Sequence, residues 1–105
     1  FAEAVLAAGA HVIGANCGLG PDMMVDIVRE LRAAVPGAPL LAMPNAGMPA
    51  LVDGRTVFRE TPDDLARKAV VLREAGASLI GGCCGTTPDH IRAMARALRT
   101  PRAPA

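Results

Sequence analysis

Ala77-Ser78-Leu79-Ile80-Gly81-Gly82-Cys83-Cys84-Gly85-Thr86-Thr87-Pro88-Asp89 reads as a short apolar strand, a glycine-rich turn and the first turn of a helix. The run from Ala77 to Ile80 is continuous rather than alternating, as expected of a strand covered on both faces in a parallel sheet. Thr87 suits a helix N-cap, Pro88 is pre-set for the first helical position, and Asp89 complements the helix macrodipole. A strand that hands over to a helix in this way is one unit of a parallel α/β repeat.

The same grammar recurs upstream. His11 to Ala15 and Pro39 to Met43 are two more continuous apolar runs, and Gly20-Pro21-Asp22 and Thr61-Pro62-Asp63 open two more helices. Helical periodicity places Met24, Ile27, Val28, Leu31 and Val35 on one face, and Ile91, Met94, Ala95 and Leu98 on another. Leu65, Ala69 and Leu72 mark the helix between them. Gly37 and Gly76 stand where C-caps are expected, and Phe1 to Ala8 reads as the end of an amphipathic helix running into Gly9. The order is a helix end followed by strand and helix three times over, which predicts an α/β fold of parallel βα repeats. Asp53-Gly54-Arg55 fits a tight turn inside a long loop before Thr61, a loop placed to cap a site or to touch a substrate. We expect residues 1–99 to form one part of a larger domain, and 100–105, rich in Pro and Ala, to be a tail or linker.

A chain of 105 residues with 51% hydrophobic and 20% charged residues is globular. A net charge of +1, no Trp, no Tyr and only Phe1 and Phe58 leave neither a basic footprint nor a stacking platform for nucleic acid. Apolar runs fall short of the roughly 18 residues of a membrane span, and the start carries no signal-peptide pattern. With free thiols, these features predict a cytoplasmic chain.

Cys17, Cys83 and Cys84 are all the cysteines present. Adjacent cysteines have Cα atoms about 3.8 Å apart, below the roughly 4.4 Å minimum of ordinary disulfides, so a bridge between Cys83 and Cys84 is strained. Three thiolates match the ligand count of a catalytic zinc, which keeps its fourth position for water or substrate. The spacing is not that of a zinc finger, because Cys17 lies 66 residues before Cys83. Packing as small buried hydrophobes is the plainer alternative. Position decides against it: in parallel α/β folds functional groups gather at the carboxyl ends of strands, and all three cysteines follow a strand there, with Asn45 ending the strand between.

Gly14-Ala15-Asn16-Cys17, Pro44-Asn45-Ala46-Gly47, and Gly81 to Pro88 followed by His90-Ile91 carry a resemblance. Over residues 1 to 99 the chain resembles the zinc-dependent homocysteine S-methyltransferase domain family of cobalamin-dependent methionine synthase and betaine-homocysteine methyltransferase. The resemblance implies the final three units, strands six to eight, of a TIM (β/α)8 barrel, with the remaining barrel strands upstream. It implies that Cys17, Cys83 and Cys84 hold Zn2+, that L-homocysteine binds through its sulfur, and that Asn45 is an oxygen ligand or substrate contact. Asn16, Gly81 and Gly82 would line the amino acid pocket. The zinc-bound thiolate would attack an activated methyl donor, methyltetrahydrofolate by way of cobalamin on other domains, with betaine or S-methylmethionine as alternatives. Met43 stands where a Tyr often precedes Pro-Asn-Ala-Gly in this family, so no aromatic contact is carried over to it.

Other chemistry-bearing residues have plainer readings. His11 and His90 do not follow a strand end, and Met23, Met24 and Met94 suit helix packing. Arg29, Glu30, Arg32, Arg67, Lys68, Arg73 and Glu74 read as solvated helix faces. A phosphate site at the last helix N-terminus has no Walker lysine or dinucleotide fingerprint to support it. A purely structural zinc module lacks a fourth Cys or suitable His, and three units alone leave open sheet edges, which predicts an inactive fragment.

Overall fold

The computed structural model describes residues 1–18 and 20–99, and the expected tail at 100–105 lies outside them. The elements run α1 (Ala2–Ala7), β1 (Ile13–Asn16), α2 (Pro21–Ala34), β2 (Leu40–Met43), β3 (Pro49–Val52), β4 (Arg55–Phe58), α3 (Pro62–Ala75), β5 (Leu79–Ile80) and α4 (Pro88–Arg99). Strands β1, β2 and β5 form one parallel sheet in that order, with Ile13 opposite Leu40, Asn16 opposite Met43 and Leu41 opposite Leu79. The expected βα alternation is therefore present, and no helix among the described residues is long and apolar enough to cross a membrane.

Local chemistry sets the helix ends. Thr61 and Asp64 form a reciprocal capping box at the start of α3, each accepting the other's backbone N–H at 3.1 Å, and Gly76 closes the helix with φ 125°. Helix α2 starts after Gly20 but ends at Val35, not at Gly37. Arg32 explains the difference. Its guanidinium donates to the carbonyls of Pro36 (2.7 Å), Ala38 (2.8 Å) and Gly76 (2.6 Å), satisfying the chain beyond α2 without a left-handed glycine. Arg32 is thus a clamp between two helix ends and not part of a solvated face.

The core has two centres. Met24, Val28, Leu31 and Val35 of the α2 face pack with Ile13, Leu40 and Leu72, while Leu65 and Ala69 meet Met94, with Ile80 touching both groups. Helix α4 departs from its expected face at one position: Ile91 is 45% exposed and His90 is buried in its place. Met94 and Leu98 stay on the expected inner face, so the departure is confined to the first turn, where His90 makes the hydrogen bonds described below.

The strands are not covered on both faces, as the continuous apolar runs had implied. Burial along β2 alternates, Leu40 and Ala42 inside and Leu41 and Met43 half-buried, and Leu79 is 48% exposed. The segment expected as a loop with a tight turn contains that turn within an antiparallel hairpin, β3 with β4. Asp53 (φ 49°) and Gly54 (φ 75°) both take the left-handed region that a two-residue hairpin turn demands.

Candidate metal centre

The carboxyl ends of β1, β2 and β5 meet at one rim, and the central strand organises the other two. The Cys17 N–H donates to Met43 O, the Gly81 N–H to Ala42 O and the Cys83 N–H to Pro44 O, each at 3.0 Å. The Cys84 N–H donates to Asn45 Oδ1 at 3.0 Å, and the Ala46 N–H to Cys84 O at 2.9 Å. Met43-Pro44-Asn45-Ala46 is a splint to which both cysteine loops are tied. Gly85, at φ 80°, lets the vicinal cysteines turn back, and a Cβ there would fall 2.2 Å from the ring of Phe58.

Sixty-six residues of separation collapse at this rim. The sulfurs of Cys17 and Cys84 are 3.5 Å apart, and all three sulfurs lie within 4.8 Å of one another. Cys17 and Cys83 are half-buried, Cys84 is exposed, and none is in a disulfide. Cys17 holds φ 55°, an uncommon conformation for a residue with a Cβ and a mark of a constrained position.

The thiols differ electrostatically. The Gly18 backbone N–H, then the thiols of Cys84 and Cys83, hold Cys17 below the ordinary thiol value, and the Asn45 side chain adds to this. Cys84 is pushed up to about 11, chiefly by its hydrogen bond with Cys17 and then by Cys83. Of these two thiols, Cys17 loses its proton first.

A tetrahedral zinc with bonds of roughly 2.3 Å to sulfur separates its sulfur ligands by about 3.8 Å. The observed spacing brackets that value, and thiolate is the donor that selects zinc among common divalent ions, so the three residues fit the metal. Among the described residues no fourth Cys, His, Asp or Glu joins the group.

The remaining expected site residues are at or near this rim. Asn45 is buried with its oxygen engaged by Cys84, whereas Asn16 is exposed beside Cys17. Gly81 lies against Met43, and Gly82 against Thr86. Thr86 went unremarked in the sequence, yet its hydroxyl is buried there with no partner among the described residues. His90 also had no assigned role. A cavity of about 430 Å³ opens between the first turn of α2, Met48, Arg59 and Lys68, and none of the cysteines lines it. Lys68 there is not a solvated residue: burial lowers its pKa, but the hydrogen bonds it donates to the carboxylates of Glu60 and Asp22 outweigh burial and hold the ammonium above its ordinary value.

The model of the family described as homocysteine S-methyltransferase matches residues 1–98. A methionine synthase of Mycobacterium leprae (strain TN) is 45% identical over 91 residues, 86% of this chain and 8% of that protein. A methionine synthase of Mycobacterium tuberculosis (strain ATCC 25618 / H37Rv) is 42% identical over 97 residues, 91% of this chain. The chain thus spans 8% of the length of each of these curated relatives.

Proposed function

Because the chain belongs to the homocysteine S-methyltransferase family, we propose that it is the metal-binding part of a zinc-dependent enzyme that methylates L-homocysteine to methionine. The observation that carries this reading is the meeting of three sulfurs from two distant loops at the carboxyl rim of a parallel sheet. In this reading the sheet is the last three units, strands six to eight, of a (β/α)8 barrel, whose active sites lie at that rim.

Cys17, Cys83 and Cys84 would hold the zinc. When bound, zinc supplies a Lewis acid that keeps an incoming thiol deprotonated at neutral pH. The chain's own residues prepare the place. The Gly18 N–H lowers the pKa of the Cys17 thiol, and Asn45 braces the Cys84 backbone. Asn16, Gly81 and Gly82 would line the pocket for the amino acid part of the substrate. In the transfer, a lone pair of the homocysteine sulfur forms the new bond to the methyl carbon, and the bond to the methyl carrier breaks with its electron pair. The relatives' name supports methionine as the product; the donor in this reading, on the family resemblance, is methyltetrahydrofolate by way of cobalamin held on other domains of a longer protein. Three free thiols fit the reducing cytoplasm.

The test is metal content of the reduced, purified chain beside a Cys83→Ser, Cys84→Ser double variant, followed by X-ray absorption with and without homocysteine. The expected result is about one zinc per chain, lost in the variant, with one more sulfur neighbour when homocysteine is added. A barrel-length protein free of zinc would return the cysteines to packing and end this reading.

A further inference from the structure

We infer that His90 is a positioning residue for the cysteine cluster, closing a ring of hydrogen bonds that holds the Cys83-Cys84 loop in register with the other two loops. The metal assignment in this inference rests on the proposed function; the geometry does not. His90 is 8% exposed, on the first turn of α4, and reaches in two directions. Its Nε2 lies 2.7 Å from the carbonyl oxygen of Glu60, and its Nδ1 lies 3.2 Å from the Thr87 nitrogen and 2.8 Å from the Thr87 hydroxyl. A carbonyl only accepts, so Nε2 carries the proton, and Nδ1 accepts from the Thr87 N–H. Both ring nitrogens are satisfied by a neutral imidazole.

These bonds complete a circuit. Cys84 O accepts from the Ala46 N–H (2.9 Å), Ala46 O accepts from the Glu60 N–H (3.1 Å), Glu60 O accepts from His90, and His90 returns through Thr87 to the turn that carries the cysteines. The turn needs such support. It contains Gly81, Gly82 and Gly85, each with wide backbone freedom, and follows a strand of only two residues, Leu79–Ile80. Asn45 and Pro44 hold its cysteines from the sheet side. His90 holds its far end and ties it to the segment that leads into α3.

Two substitutions separate this cross-loop tether from a local helix cap. In His90→Asn the side-chain oxygen takes the place of Nδ1 and keeps the Thr87 bond, but nothing reaches Glu60. In His90→Gln the amide nitrogen extends to the position of Nε2 and restores the Glu60 bond. Zinc affinity is measured by chelator competition, with Co2+ thiolate charge-transfer bands as a second readout of sulfur geometry. The expected result is a loss of roughly 10–100-fold in affinity and altered Co2+ bands for His90→Asn, with His90→Gln near wild type. Equal affinities in all three chains, or equal losses in both variants, would overturn the tether while leaving the metal reading in place. The metal-free chain gives an independent readout, the equilibrium constant for closing a Cys17–Cys84 disulfide with oxidised glutathione, expected to fall in His90→Asn alone. That fall in a chain that binds no zinc or cobalt would uphold the tether, with the metal reading then decided on the barrel-length protein; no fall would overturn the tether.

Discussion

Three thiols within 4.8 Å cannot ionise independently, because each thiolate raises the cost of the next. The structure sets an order. Cys17 is stabilised as thiolate first by the Gly18 N–H, and its charge and hydrogen bond then push Cys84 up to about 11. In the metal-free chain, alkylation with iodoacetamide read residue by residue by mass spectrometry should therefore label Cys17 at a lower pH than Cys84. Labelling of Cys84 should rise only toward pH 11. Since Cys17 is the first cause of that shift, Cys17→Ala should bring Cys84 down toward the ordinary thiol range, near 8.5. Equal labelling of the two residues across the pH range would contradict the order. The residues of this cluster were legible in the sequence, because three cysteines each followed an apolar run. Their inequality was not, since it depends on the left-handed Cys17 backbone and the bond from Gly18, which no spacing rule reveals.

At the start of α3, the Thr61-Pro62-Asp63-Asp64 sequence satisfies two backbone donors that would otherwise lack partners. Thr61→Ala should cost about 1 kcal/mol of stability in urea unfolding. Asp64 gives the same element a pH signature. Thr61, through its backbone N–H and then its hydroxyl, holds the Asp64 carboxyl below its ordinary value, and Arg67 adds to the effect. A depressed folded value means that the stabilisation is complete above the unfolded carboxylate pKa, about 3.9, and is lost as pH falls through the lower folded value. Asp64→Asn should thus be less stable than wild type at pH 7, with the gap narrowing steadily below about pH 4. A gap unchanged between pH 7 and pH 2 would show that the carboxylate charge contributes nothing. Proline-led helix starts such as this one were legible because their signals are local. The end of α2 at Val35 and the burial of His90 instead of Ile91 in α4 were not, because Arg32 and His90 act through bonds to residues far along the chain. The hairpin was half legible: Asp53-Gly54 announced the turn, but the flanking runs from Pro49 and Arg55 are too short and too exposed to announce strands.

At the scale of the whole molecule, the parallel sheet is three strands wide, and among the described residues β1 and β5 each pair only with β2. Helices cover one face, and Leu41, Met43 and Leu79 remain partly open on the other. Class and site location were legible in the sequence because continuous apolar runs alternating with proline-capped helices leave few alternatives to a parallel sheet. The one-sided burial was not, because a strand lining a barrel interior and a strand buried between two helical layers have the same apolar content. This open face bears on activity. In the barrel reading proposed above, a closed sheet surrounds the rim with loops from all of its strands, so an amino acid substrate held at the cysteines would find contacts here from only three of them. We expect the 105-residue chain, reduced and supplied with zinc, L-homocysteine and methylcobalamin, to form no methionine above the protein-free rate by mass spectrometry. A barrel-length protein carrying the same residues should form it under the same conditions, and should lose that activity with Cys83→Ser. Turnover by the short chain comparable to the longer one would show that three units hold both substrates unaided, and the closed barrel would then have no part in the chemistry.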